Sequence, residues 1–410
     1  MSDRLPASKN LRTNVRRPDV MELVSAEVAR HYHSSIVEKL RDRGGKLTVG
    51  TTTVHLAKEF GFCYGVERAI DLAYASRRVF PEHRIFLIGE IIHNPDVNRQ
   101  LREMNIVSLP WQELGAAYDE LTEDDVVIVP AFGAPTTFMD KIAERGCHVV
   151  DTTCGDVMKV WRRVRSYARD GITSVIHGKL GHEETRATAS RALGEHGDGH
   201  FLVVLTLADV AVVCDFITGR NTDRAAFLAR FGGSFSPGFD PDLHLGQLGV
   251  ANQTTMLKSE TEEIQRRLRA AILERDGTDA NLAVFDTICG ATQERQDALF
   301  DLLADPPDVL LVVGGYNSSN TAHLVEIGAE KVPTFFIRDA ARLKSLEEIV
   351  HYDLHQGAEV TSAYSQLLLG NEAVRVGITA GASCPNNLIE ETIFRVFGLR
   401  GIDRTLVESA

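Results

Sequence analysis

The sequence predicts an α/β protein of three similar lobes in a pseudo-threefold, trefoil arrangement, preceded by an N-terminal extension. Three observations carry that expectation. From about residue 51, short β-branched runs alternate with helical patterns, as in largely parallel sheets with crossover helices. One design occurs three times: an apolar approach, a single cysteine, a glycine within two residues, and an amphipathic helix. Each copy is followed by two apolar runs that end in small, polar loops, so nine elements fall into three sets of three.

Residues 1–50 are polar and mixed. They contain one amphipathic helical pattern around residues 20–45 that ends at Gly44-Gly45, and form the extension. The first lobe spans 51–153, with its first strand expected to join the third lobe. The second spans 154–286 and carries an insertion near 220–246, rich in Gly and Pro, that reads as a loop excursion. The third spans 287–400. The three cysteine segments are LAKEFGFCYGVERAIDLAYASRR, HVVDTTCGDVMKVWRRVRSYARD and LAVFDTICGATQERQDALFDLLAD, placing Cys63, Cys154 and Cys289 in equivalent settings. The six strand ends between them are FLIGEIIHN, VIVPAFGAPTT, VIHGKLGHEET, LGVANQTT, LLVVGGYNSSN and VGITAGASCPNN.

Bulk properties exclude several classes. A net charge of −13 disfavours nucleic acid and anionic membranes, which select basic surfaces. The most apolar run, FLVVLTLADVAVVCDFI, is interrupted by Asp209 and Asp215 and does not read as a membrane span. Early acidic residues and the lack of an apolar core argue against a secretory signal, so the cytoplasm is expected ahead of the plastid stroma. Six scattered cysteines do not form a secreted disulfide framework. Cys147 and Cys214 lie in apolar, strand-like runs and read as buried filler.

Ligands of parallel α/β units gather where strand ends lead into helix N-termini. A cysteine there meets the positive end of the helix dipole, which favours the thiolate. Three such thiolates brought to one point would select a soft metal, and the absence of CxxC pairs argues against zinc. A [4Fe–4S] cluster usually takes four cysteines. Three share the repeated setting, so one iron would lack a protein ligand and stay open to a substrate oxygen. Cys384 sits in a polar loop without that setting and is not counted.

The six loops are rich in hydroxyl, amide and imidazole groups but poor in Lys and Arg. Ser318-Ser319-Asn320, Gln253-Thr254-Thr255, Gly381-Ala382-Ser383 and Gly181–Thr185 are the densest, and such loops suit a phosphate ligand. His93 and His182 can hydrogen-bond phosphate. Glu184 is an acid in an expected anion pocket, where its proton affinity should rise, and this suits a general acid.

Taken together, FGFCYGVERAI, EIIHNPDVN, DTTCGDVMKV, GHEETRATAS, ANQTT, DTICGATQERQ, NSSN and TAGAS resemble the 4-hydroxy-3-methylbut-2-enyl diphosphate reductase family from about residue 54 to 397. The resemblance implies a three-lobed fold around a [4Fe–4S] cluster held by Cys63, Cys154 and Cys289. It implies a diphosphate pocket of His93, His182, Ser318, Ser319, Asn320 and Ser383. Thr254 would stand near the substrate hydroxyl and Glu184 would donate the proton. The implied reaction is reductive dehydroxylation of an allylic diphosphate to isopentenyl and dimethylallyl diphosphate, with electrons from reduced ferredoxin or flavodoxin. Two departures, Ala131-Phe132-Gly133 for Ala-His-Gly and His182-Glu183-Glu184 for His-Pro-Glu, resemble the plant and cyanobacterial branch. Phe132 removes a phosphate donor and is not claimed as a ligand.

Two rivals stand beside this reading: a three-cysteine Lewis-acid enzyme resembling quinolinate synthase, and a non-enzymatic iron–sulfur redox sensor. No flavin or nicotinamide fingerprint is present, since VVGGYNSSN is not a GxGxxG loop. Electrons must therefore come from outside. Donor proteins of this kind are usually acidic, so docking would need a local basic patch, for which RRVRSYAR at 162–169 is a candidate.

Overall fold

The computed structural model describes residues 12–285, 287–363 and 372–410. The first eleven residues of the extension lie outside the described residues. So does Asp286, which opens the Asp-Thr of the third cysteine segment. The chain divides into two compact units. Unit 1 comprises Met1–Val15, Ser76–Ile91 and Leu101–Cys289, and unit 2 comprises Arg16–Ala75, Ile92–Gln100 and Gly290–Ala410.

Along the chain, α1 (Pro18–Tyr32) and α2 (Ser35–Asp42) lead into β1 (Lys46–Val49), β2 (Thr52–Leu56) and α3 (Tyr64–Val79). Next come β3 (Ile85–Ile88), α4 (Pro95–Glu103), β4 (Ile106–Leu109), α5 (Ala116–Asp119), β5 (Val126–Val129), α6 (Thr136–Arg145) and β6 (His148–Asp151). The following stretch is α7 (Gly155–Arg169), β7 (Thr173–His177), α8 (Glu183–Ala192), β8 (Phe201–Val204), α9 (Leu207–Ile217), α10 (Arg224–Arg230), α11 (Pro241–His244), β9 (Leu248–Asn252), α12 (Lys258–Asp276) and β10 (Leu282–Ala283). Last are α13 (Gly290–Ala304), β11 (Val309–Val313), α14 (Ser319–Ala329), β12 (Thr334–Ile337), the hairpin β13 (Glu348–Asp353) and β14 (Ala358–Ala363), β15 (Val374–Ala380), α15 (Asn386–Leu399) and α16 (Arg404–Ser409).

Three sheets share one strand order. Unit 1 holds β4-β3-β5-β6 and β8-β7-β9-β10, both parallel throughout. Unit 2 holds β12-β11-β15-β2, also parallel, with β1 added antiparallel to β2 at the edge. In each sheet the fourth strand in this order runs toward a cysteine: β6 to Cys154, β10 to Cys289 and β2 to Cys63. β2 thus pairs with β15, from the far end of the chain. Central strands are largely buried, as expected where helices cover both faces; all five residues of each of β7, β9 and β11 are buried.

Three local expectations are corrected. The extension forms two helices, not one. Ser34 is extended and its hydroxyl accepts the Val37 N–H at 3.1 Å, starting α2 as a new helix that buries Ile36, Val37 and Leu40 in the core of unit 2. Cys214 lies in helix α9. A capping box between Thr206 and Asp209 starts that helix, and Val210, Val213, Cys214 and Ile217 then bury one face. The insertion is also more than a loop, because α10 and α11 lie within it. Phe227, Phe231 and Phe239 anchor it in the apolar core beside β8 and β9. The period-3.6 signal of each short helix is drowned by the Gly and Pro around it.

Candidate active site

In unit 1, Cys154 is the N-cap of α7, with an extended backbone, and its N–H donates to the Ala131 carbonyl at 2.9 Å. Asp151 sets the turn before it, accepting the Thr153 N–H at 3.0 Å and hydroxyl at 2.6 Å, while Arg12 pairs with Asp151 at 2.8 Å. Cys289 precedes α13, and its N–H donates to the Thr254 carbonyl at 3.1 Å. The Cys289 thiol hydrogen-bonds the carboxylate of Asp156, two residues beyond Cys154 in α7. Burial pushes the Asp156 carboxyl up, but Lys159 at 2.6 Å and the Cys289 thiol outweigh it and hold it below the ordinary value. The Cys289 thiol is thus tied to the first turn of the helix that Cys154 caps.

Glu184 lies in the first turn of α8 and is 2% exposed. One carboxylate oxygen accepts the Thr254 N–H at 2.6 Å and the other accepts the Thr254 hydroxyl at 3.1 Å. His182 caps the same helix, with Nδ1 accepting the Glu184 N–H at 3.1 Å. Phe132 presents its ring edgewise to His182, with centroids 5.6 Å apart. It packs against the imidazole rather than adding a polar donor. Gln253, from the Gln253-Thr254-Thr255 loop, ties these loops together. Its Oε1 accepts the Lys179 N–H and the Thr185 hydroxyl, both at 3.1 Å, and its Nε2 donates to the Thr255 hydroxyl at 2.7 Å.

In unit 2, Cys63 precedes α3 and its N–H donates to the Ala382 carbonyl at 3.2 Å. Ala382 in turn donates its N–H to Asn320 Oδ1 at 2.9 Å. Ser318 caps α14, accepting the Thr321 N–H at 3.3 Å and hydroxyl at 2.9 Å. Ser383 donates its hydroxyl to the His93 carbonyl at 3.2 Å, and Asn317 Nδ2 lies 3.1 Å from His93 Nδ1. Cys63, His93, Ser318, Ser319, Asn320 and Ser383 thus belong to one group of loops, with His93, both α14 serines, Asn320 and Ser383 buried. Asn317 stands inside the quoted NSSN run, but its pairing with His93 carries no sequence signature. Gly381 requires glycine, because a Cβ there would overlap the Thr321 hydroxyl.

The donor set fits an iron–sulfur group. Cys63, Cys154 and Cys289 are half-buried and stand before helices, whereas Cys147, Cys214 and Cys384 are buried. Burial pushes the Cys147 and Cys214 thiols up to about 11, and it raises fully buried Cys384 as well. A thiol kept protonated in an apolar core is a poor metal ligand. The diphosphate expectation has its own test. Asn320 Nδ2 is a buried donor with no hydrogen-bond partner among the described residues, the kind of group a ligand oxygen satisfies.

Comparison with known proteins gives a consistent result. The sequence matches the model of the LytB protein family over residues 54–397. The 4-hydroxy-3-methylbut-2-enyl diphosphate reductase of Synechococcus sp. (strain RCC307) is 46% identical over 95% of this chain and 94% of that protein. The protein of the same name from Gloeobacter violaceus is 47% identical over 92% of this chain and 90% of that one. A solved structure of (E)-4-hydroxy-3-methyl-but-2-enyl diphosphate reductase, described as the terminal enzyme of the non-mevalonate pathway, is 27% identical. It aligns with a TM-score of 0.51 over 85% of this chain and 99% of that chain. The Plasmodium falciparum E-1-hydroxy-2-methyl-but-2-enyl-4-diphosphate reductase structure, at 21% identity and a TM-score of 0.60 over 83% of this chain and 86% of that one, shares the fold. The chain belongs to the LytB family, that of the 4-hydroxy-3-methylbut-2-enyl diphosphate reductases.

Proposed function

We propose that this protein reduces (E)-4-hydroxy-3-methylbut-2-enyl diphosphate to isopentenyl and dimethylallyl diphosphate in the cytoplasm, as the last step of the non-mevalonate route. Membership in the family sets aside the quinolinate synthase-like and redox-sensor readings. Cys63, Cys154 and Cys289 are the residues that would hold a [4Fe–4S] cluster. When bound, it would supply electrons and, through an iron lacking a protein ligand, a Lewis-acid position for the substrate hydroxyl.

The observation that carries this reading is one bonded run in unit 1. The Glu184 carboxylate is gripped by the N–H and hydroxyl of Thr254, and the Thr254 carbonyl holds the N–H of Cys289. A proton donor, a hydroxyl that can orient an alcohol and a cluster ligand are fixed to one another through hydrogen bonds. Such preorganisation is what proton delivery to a leaving hydroxyl needs. Asn320, Ser318, Ser319 and Ser383 would offer neutral donors to the diphosphate, with His93 among the same loops of unit 2, while His182 stands by Glu184 in unit 1. Neutral donors hold a phosphate without the tight grip of paired arginines.

In the balanced reaction the allylic C–O bond breaks and two electrons enter. One proton joins the leaving oxygen to give water and another joins the allyl carbon. A reduced ferredoxin or flavodoxin supplies the electrons. The test is anaerobic purification with iron and sulfide quantitation, followed by a reduced-dye assay on the hydroxylated diphosphate. Substrate-dependent dye oxidation with both isomeric products supports the assignment. Protein loaded with iron but inert to this diphosphate would refute it.

A further inference from the structure

The chain is acidic, yet one face of unit 1 is not. A cavity of about 960 Å³ is lined by Lys159, Arg162, Arg163, Arg165 and Arg169 from α7, against only Glu195 and Asp198 on the opposite rim. All five cations are exposed. Arg162, Arg163 and Arg165 pair with no carboxylate among the described residues, although the chain carries 57 acidic against 44 basic residues. Unpaired arginines gathered on one face of an acidic protein leave a local positive field unquenched.

Part of the lining comes from the segments that carry two of the cysteines. Phe285, 38% exposed, lies under the Arg163 guanidinium at 3.5 Å, and Thr287, two residues before Cys289, lines the same cavity. Lys159 pairs with Asp156, which accepts the Cys289 thiol, and α7 itself begins just after Cys154. The basic face is therefore the outer surface of the segments that carry Cys154 and Cys289.

We propose that this face of α7 docks a small acidic protein that carries a one-electron redox centre. The inference rests on the reductase reading. Charge complementarity selects this occupant: a small phosphorylated ligand would need buried donors, whereas these cations stand in solvent on a protein-sized surface. Nucleic acid meets a net charge of −13 beyond the patch. Each docking oxidises the carrier by one electron and reduces this protein by one, with no bond made or broken. Two dockings match the two-electron reaction. Such an interface is small, brief and steered by charge.

The experiment compares two reductants on the anaerobically purified, iron-loaded protein: a reduced [2Fe–2S] ferredoxin and a reduced viologen dye. In the triple variant Arg162→Glu, Arg163→Glu, Arg165→Glu, ferredoxin-driven kcat/KM should fall about tenfold or more at low ionic strength. Dye-driven turnover and iron content should match the wild type. Salt should slow the wild type with ferredoxin but leave the variant nearly flat. A control with the same charge change at exposed Arg102, Lys331 and Lys344, none of which lines the cavity, should stay within about threefold of wild type, because net charge alone does not make the docking face. If the triple variant keeps ferredoxin-driven kcat/KM, or the control falls as far, the docking face is wrong. Should the triple variant lose iron, Arg162→Gln with Arg165→Gln serves instead, and no loss there is equally fatal. Absence of dye-driven turnover in the wild type would overturn the reductase reading and the docking face together. Dye-driven turnover without an effect of the substitutions overturns the docking face alone.

Discussion

Replacing Glu184 with Gln separates proton delivery from architecture. The carboxylate makes two bonds to Thr254, at 2.6 Å from the N–H and 3.1 Å from the hydroxyl. The amide has nearly the same shape. Its oxygen still accepts the N–H, and its NH2 donates to the hydroxyl oxygen, reversing one bond. Two charge-assisted bonds become two neutral ones, at a cost of about 1–3 kcal/mol. That lies below a typical stability of about 5–15 kcal/mol, so the variant should fold and keep its iron. The loss for proton delivery is different, because the amide carries no acidic proton where the protonated carboxyl would donate one. A positioned general acid is worth about 10²–10⁴ in rate, or about 3–5 kcal/mol of barrier. The dye-driven assay should show kcat down by that factor, with KM for the diphosphate nearly unchanged, because the proton moves only in the transition state. A kcat within about tenfold of wild type at equal iron content would refute the role given to Glu184.

Asn320→Asp exchanges a buried donor without a partner for a carboxylate, so KM for the diphosphate should rise about 10–100-fold, or about 1.4–2.7 kcal/mol, in steady-state kinetics. Cys289→Ser should cut the iron recovered from anaerobic protein. Cys384→Ala should leave iron unchanged and cost only about 1–2 kcal/mol in urea unfolding, since that thiol is packed in the core of unit 2. Burial alone would raise the Asp125 carboxyl, but the Arg84 fork, with both bonds at 2.7 Å, and the Thr122 N–H and hydroxyl hold it below its ordinary value. A depressed folded value means its stabilisation is present above an unfolded value of about 4 and fades as pH falls through the folded one. Asp125→Asn should therefore destabilise at neutral pH by about 1–3 kcal/mol and flatten the acid limb of stability against pH. An unchanged acid limb would refute the assignment.

Much of the site was legible because its chemistry is local. A cysteine before a glycine-led helix, a strand ending in Ser-Ser-Asn, and an acid behind a capping histidine are features of a few consecutive residues. Helix propensity, capping and periodicity act over that same range. The break at Ser34 and the helices within 220–246 were harder to see. There a cap or a cluster of phenylalanines outweighed the composition around it.

The chain by itself determined the alternation of strands and helices, the three equivalent cysteine segments and the loops that carry the polar donors. Only the folded protein decided that Thr254 grips a carboxylate 70 residues away and that Cys384 is sealed in a core while Cys63 is not. Those outcomes depend on which distant apolar faces bury one another. That energy belongs to whole sheets and leaves no mark on any short stretch of residues.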